Sequence, residues 1–168
     1  MILSGDINLR HELWIDAKEN LTDKFIFPRL VDLFVVCCAI GISDDKIIEH
    51  NIKAEEAPSI PRVTYLTKNE DLNTIITFMF QNAILTSNLI DYDNKTRLRL
   101  AFDPDFTLSD FSATSFLAKF ATYGLSVIKG LENDNQLVYI KNIHDYIDSK
   151  SINDLGIDLN DDLLNLIS

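Results

Sequence analysis

Residues Phe25–Gly41 read FIFPRLVDLFVVCCAIG. From Leu33 to Ile40 nothing is charged or polar. A surface helix carries its apolar residues on one stripe. A run that is apolar on every side predicts an element buried all round, at the centre of the fold, with Val36 in the core. Pro28 suits a first helical turn, where its missing N–H has no intrahelical partner to lose. The helix is expected to run to about Ile40, with Gly41 as the left-handed residue that ends it. Arg29 and Asp32 share a face and form an exposed pair at the helix entrance. Cys37 and Cys38 point about 100° apart. They form no C-x-x-C motif and have no second pair, so they read as small core residues in a reducing compartment.

Outward from this run, residues 1–24 form an N-terminal arm. Ile7, Leu9, Leu13 and Ile15 alternate as in a short strand, while Leu9, Leu13 and Trp14 also share a helical face. Trp14, the one tryptophan, is a core or interface anchor. Downstream, Ser43 is placed to cap a short helix over SDDKIIEHNIK. Pro58 and Pro61 force extended chain. Val63 and Tyr65 suggest a short strand whose partner is the N-terminal arm. Thr67 and Glu70 have capping-box spacing. They open a helix with an apolar stripe of Leu72, Ile75, Ile76, Met79, Phe80 and Ala83, fading near Ser87 and Asn88. Lys95, Arg97 and Arg99 alternate with Thr96, Leu98 and Leu100 as a short strand or a last helical turn, ended by Asp103-Pro104-Asp105. A long helix is expected from Leu108 to Leu131, capped by Thr107. Its face is Ala113, Leu117, Phe120, Gly124, Val127 and Leu131. Gly124 within it costs about 1 kcal/mol relative to alanine, so it permits close helix approach or a kink. Residues 132–168 form an acidic helical tail, with eight acids against Lys141 and Lys150, and a last short helix over residues 161–167. The fold class is mainly α: a single domain over 1–168, a helical bundle around the central helix, with a small two-stranded β element.

Charge narrows the partners. There are 26 acids against 15 bases, a formal net charge of −11. Nucleic acid and anionic membranes should both repel such a chain. Its partners are proteins with basic patches or neutral surfaces. Apolar residues make up 46% of the chain, enough for a sizeable core. No signal peptide is visible at the start, and no apolar run reaches bilayer length, so the protein is read as cytoplasmic.

The sequence carries little recognisable chemistry. Only 5 glycines occur, and no phosphate-cradling loop can be drawn from them. His11, His50 and His144 are scattered and read as surface or helix-end residues. Asp91-Tyr-Asp93-Asn94 begins like a calcium loop, but it lacks the sixth-position glycine and has Phe102 where the last ligand belongs. Asp91, Asp93, Asp103 and Asp105 are the carboxylates a metal-dependent nuclease would need. No catalytic residue, cofactor or metal ligand is assigned. Lys95, Arg97 and Arg99 form the one local basic cluster, a candidate contact for phosphate or an acidic partner. Its alternative is a solvated face.

Three stretches together resemble a known group. They are Phe27-Pro-Arg-Leu-Val-Asp-Leu-Phe-Val-Val-Cys-Cys-Ala-Ile-Gly41, Pro61-Arg-Val-Thr-Tyr65, and Phe120-Ala-Thr-Tyr-Gly-Leu-Ser-Val-Ile-Lys-Gly-Leu131. Their order is similar to that in small accessory proteins encoded beside bacterial DNA phosphorothioation (Dnd) defence genes. Those carry a buried helix ending in glycine, and later a YANGGL-like helix where Phe120–Leu125 stands here. The resemblance implies anti-phage defence, as a non-enzymatic subunit binding other proteins. It carries over no catalytic residue. The alternatives are an acidic inhibitor or immunity protein that imitates nucleic-acid charge, and a metal-dependent nuclease.

Overall fold

A computed structural model describes residues 3, 5–22, 26–66 and 70–154. The chain divides into two compact units, Met1–Gly130 and Leu131–Ser168. The first unit holds a two-stranded sheet and six α-helices among the described residues: β1 (Ile7–Asn8), α1 (Glu12–Ala17), α2 (Leu30–Asp44), β2 (Ser59–Ile60), α3 (Arg62–Leu66), α4 (Glu70–Thr86), α5 (Asn94–Phe102) and α6 (Ala113–Gly130). The second holds α7 (Gln136–Asp154). The architecture is mainly α with a small β element, as the apolar periodicity predicts.

The central run forms α2, and its closest neighbour is α6. Two glycines set their separation. A Cβ on Gly124 would stand 2.6 Å from the carbonyl carbon of Cys37, and one on Gly41 would stand 2.6 Å from that of Phe120. Each glycine therefore lies directly on the other helix's main chain. Because Cys37 faces Gly124 and Gly41 faces Phe120, the helices run antiparallel through the contact. Gly124 thus provides the close approach expected of it. Gly41 is a correction: it does not end α2. The helix continues to Asp44, and Asp45 takes the left-handed conformation at φ 48°. The Lys46 N–H reaches the Gly41 carbonyl (3.0 Å) and the Asp45 N–H reaches that of Ile42 (3.1 Å). This is a Schellman ending in which aspartate replaces the usual glycine. Asp45 also accepts from the Asn88 main chain (2.9 Å) and side chain (3.2 Å). Burial opposes its charge, but bonds from Ser87 and Asn88 and the nearby Arg97 outweigh that and hold the carboxyl below its ordinary range.

All-round burial of α2 is also corrected. Val31, Leu33, Phe34, Cys37, Cys38, Ile40 and Gly41 are buried under α6, α4 and a π-helical turn at Lys18–Thr22. Val35 and Val36 are half-buried and Ala39 is exposed. Two covering helices and one turn close part of the circumference, and small residues fill the rest. Both thiols are buried and free, and burial raises both well above the ordinary thiol range. Cys38 Sγ donates to the Leu117 carbonyl at 3.7 Å.

The arm divides between strand and helix. Ile7 pairs with Ile60 and Asn8 with Ser59, antiparallel. The arm is therefore the strand partner expected, but its mate is Ser59–Ile60. Val63 and Tyr65 lie in α3. Leu13 and Ile15 belong to α1, which His11 caps through Nδ1 to the Leu13 N–H (3.2 Å). Trp14 is wholly buried, and its Nε1 donates to Thr122 Oγ1 on α6 at 3.0 Å. Thr122 in turn donates to the Ala118 carbonyl at 2.7 Å. The helix expected over SDDKIIEHNIK is absent: residues 46–50 run without regular structure, and the Ile48 N–H bonds the Lys119 carbonyl (3.1 Å). The expected capping box at Thr67 lies outside the described residues, as does the helix expected over 161–167.

α4 follows most of its stripe: Leu72, Ile76, Met79, Phe80 and Ala83 are buried and Ile84 joins them, whereas Ile75 is a correction, 45% exposed on the outer side of the helix. α6 starts at Ala113, five residues later than expected. Ser112 supplies the cap, accepting from the Ser115 N–H at 3.3 Å. The intervening loop turns Phe111 inward, 5.5 Å from Phe116 and 6.1 Å from Phe80 between ring centres. A helix begun at Leu108 could not aim Phe111 there. In the second unit, Asn135 caps α7 by accepting from the Leu137 N–H (3.0 Å), and Asn142 reaches back to the Leu131 carbonyl (3.2 Å).

Candidate functional site

The basic cluster is separated by its own helix. Lys95, Arg97 and Arg99 lie on α5, where residues two apart face different ways. Lys95 and Arg99 point outward. Arg97 turns in and serves the end of α4. Its guanidinium donates to the carbonyls of Ile90 (2.6 Å), Ser87 (2.8 Å), Tyr92 (3.0 Å) and Ile84 (3.3 Å). A helix C-terminus leaves carbonyls without partners, and a planar cation with five donors answers several at once. Arg97 is therefore a structural clip and is not available to a phosphate or an acidic partner. Arg99 lies 3.9 Å above the Phe106 ring and pairs with Asp103 at 3.4 Å.

The four loop carboxylates do not converge. Asp93 caps α5, accepting from the Thr96 N–H at 3.0 Å, and Asp103 sits at the helix's other end. Ten residues of helix separate them by about 15 Å. Among the described residues no group of three or more His, Cys, Asp or Glu side chains could hold a metal ion.

One nucleophile–base contact does form, and sequence spacing could not reveal it. His50 Nε2 lies 2.8 Å from Ser115 Oγ in the first turn of α6. Burial, then Arg10 and Lys119, lower the pKa of His50 and so favour the neutral ring. Its Nδ1 has no hydrogen-bond partner. Glu49, the adjacent acid, is paired with Lys119 at 2.7 Å. No carboxylate orients the imidazole, so the contact ties residues 46–50 to α6 and lacks the third member of a catalytic triad.

The surface of α4 is more distinctive. From Leu72 to Ile90 no residue is charged. Across the buried stripe, Thr74, Ile75, Phe78, Asn82 and Leu85 face outward. Phe78 is 67% exposed, more than any other aromatic ring among the described residues. On α5, Leu98 and Phe102 are exposed as well. Gln81 Nε2 bonds the Ala101 carbonyl (3.1 Å), so α4 and α5 pack as a hairpin that leaves these side chains out. Ile75, Phe78 and Leu85 are the large apolar side chains exposed on this face of α4, and exposed apolar surface is the kind that interaction sites use. The signal in the sequence was the charge-free stretch, and a stripe drawn only for its core side passed over Phe78.

Among the described residues no helix is long and apolar enough to cross a membrane. The chain matches no family model, no curated protein and no solved structure.

Proposed function

We propose that the protein is a non-enzymatic accessory subunit that binds protein through the outer face of α4. The observation that carries this reading is the uncharged stripe centred on exposed Phe78. Burying a large aromatic side chain contributes about 1.5–3 kcal/mol, so a partner gains most there. The resemblance of residues 25–131 to Dnd-associated accessory proteins supports a cytoplasmic bacterial defence complex as the setting.

The test is purification of the tagged chain from its native host, with its neighbouring genes intact. The products of those genes should co-purify in fixed ratio, and Phe78→Asp should release them without changing the chain's melting temperature. Recovery of the free chain alone, or of a complex indifferent to Phe78→Asp, refutes the reading. The salt dependence separates the charge-mimic alternative, which the net charge of −11 favours. An apolar contact resists added salt, whereas binding by imitation of phosphate weakens steeply with it.

A further inference from the structure

We infer that residues 46–52 form an acid-released strap, which lets go of α6 and the N-terminal arm when His50 takes up a proton. The strap leaves α2 at the left-handed Asp45 and ends at a 3-10 turn over Ala54–Glu56. None of its residues is buried: Ile47, Ile48, His50 and Ile52 are half-buried and the others are exposed. Polar contacts hold it down. On α6, the Lys119 carbonyl accepts from the Ile48 N–H (3.1 Å), the Lys119 ammonium pairs with Glu49 (2.7 Å), and Ser115 Oγ lies 2.8 Å from His50 Nε2. On the arm, the Arg10 carbonyl accepts from the Asn51 N–H (3.0 Å), Arg10 Nε donates to the Ile52 carbonyl (3.3 Å), and the Glu12 N–H donates to Asn51 Oδ1 (3.1 Å). A segment with little buried apolar surface opens at a fraction of the free energy of global unfolding. One changed contact can therefore decide whether it stays closed.

His50 is that contact because of where its second nitrogen lies. Nδ1 is shielded from solvent and has no hydrogen-bond partner. A neutral imidazole carries one N–H, and either tautomer can bond Ser115 through Nε2. The imidazolium carries two, so its Nδ1–H meets neither acceptor nor solvent. A buried donor left unpaired is costly, and a charged one more so. The groups facing the ring add to this: Arg10 and His11 from the arm and Lys119 from α6. Glu49 on the strap opposes them, but Lys119 already holds it. Opening returns Nδ1 to water and takes the ring away from these basic groups, so the proton and the closed strap compete. Closed, His50 titrates below its ordinary 6.5, chiefly through burial. As pH falls through 6.5 the open form takes up the proton first. Each pH unit from there down to the lowered value multiplies the open population by up to about ten. Release frees the Ser115 hydroxyl and the Lys119 ammonium at the start of α6.

Amide hydrogen exchange of the full chain, resolved by residue with NMR and corrected for the intrinsic pH dependence of exchange, tests this. The Ile48 and Asn51 amides, which bond outside the strap, should exchange faster than the Gly124 amide in the α2–α6 seam. Low urea should speed Gly124 and leave the strap amides unchanged, the mark of a local opening. From about pH 7.5 to 5 the strap amides should lose protection by threefold or more. His50→Gln can still donate to Ser115 but takes no proton, and should remove most of that loss. Lys119→Met leaves the ring in place and takes away one of the cations facing it, along with the pair that holds Glu49, so it should reduce the loss as well. Strap protection that ignores pH in the native chain overturns the inference. So does a loss that persists unchanged in either variant, and so do strap amides that exchange only with the seam, by global unfolding.

Discussion

Replacing Gly124 with alanine sets two effects against each other at one atom. On helix propensity alone, alanine is better than glycine by about 1 kcal/mol. The α2–α6 seam opposes it. The new Cβ would stand 2.6 Å from the Cys37 carbonyl carbon and 2.8 Å from its Cα, against 3.4–4 Å for ordinary contact. These are main-chain atoms, so no rotamer change relieves the clash. α2 must retreat by roughly 1 Å, and a gap of that size forfeits a quarter to a half of each dispersion contact along the seam. Overpacking a core costs about 1–3 kcal/mol, and a backbone obstacle places this case at the upper end. After the propensity gain, the net loss is about 2 kcal/mol, or about 4–8 °C in melting temperature for a chain of this size. Thermal and urea unfolding followed by circular dichroism and Trp14 fluorescence would measure it. Gly130→Ala is the control. No atom lies within 4 Å of its new Cβ, so it should be neutral or stabilise by up to about 1 kcal/mol. Gly41→Ala should repeat the loss, and the double variant should lose less than the two single losses together, since one retreat relieves both clashes. A neutral or stabilising Gly124→Ala would falsify the close-approach argument.

Other substitutions probe the remaining features. Arg97→Ala should cost about 2–4 kcal/mol by orphaning the α4 carbonyls, and Arg97→Lys should recover little of it because an ammonium lacks the planar fork. Lys95→Ala should stay within about 0.5 kcal/mol, and equal losses at 95 and 97 in urea melts would remove the clip. Phe34→Asp should unfold the chain, whereas Val36→Asp, at a half-exposed position, should leave it folded at room temperature by circular dichroism. Thr122→Val should cost about 1–3 kcal/mol by leaving the Trp14 N–H without an acceptor, and an unchanged urea midpoint would contradict the bond. Burial, then Arg10 and Lys119, hold His50 below its ordinary 6.5, so the unfolded chain takes up that proton first. Its contribution is whole above pH 6.5 and is lost as pH falls from there to the lowered value. His50→Gln should flatten the urea midpoint across that window, with a residual slope from His11, which burial also lowers. A slope identical to wild type would remove His50 as its source.

Much of the frame was legible because it rests on periodicity. The stripes of α4 and α6 recur at three and four residues, and the spacing names Leu72, Ile76, Met79, Phe80 and Ala83 on α4 and Leu117, Phe120 and Gly124 on α6 among the buried residues, while it misplaces Ile75, which is exposed. Gly124 was legible for a similar reason, since a glycine inside a strong helix needs a cause. Gly41 was not, because the same residue type at a plausible helix end has a cheaper local explanation. Only the position of Phe120 on a distant helix reveals its use. α5 was obscured by alternating Lys95, Arg97 and Arg99, which imitate a strand when read locally. The tertiary demand of the unpartnered α4 carbonyls decides otherwise. The Phe78 face was obscured by the habit of reading a helix for what it buries. Its mark was an absence of charge over several turns, not the presence of any motif.

The seam also carries its own chemical clock. Cys37 and Cys38 ionise and react only when solvent reaches them, and in the closed seam it does not. Their rate of modification by a thiol reagent, divided by that of the unfolded chain, gives the fraction of time α2 stands away from α6. Two adjacent sulfurs thus turn a glycine-to-backbone contact into a label whose mass increments count opening events, without dye, probe or added mutation.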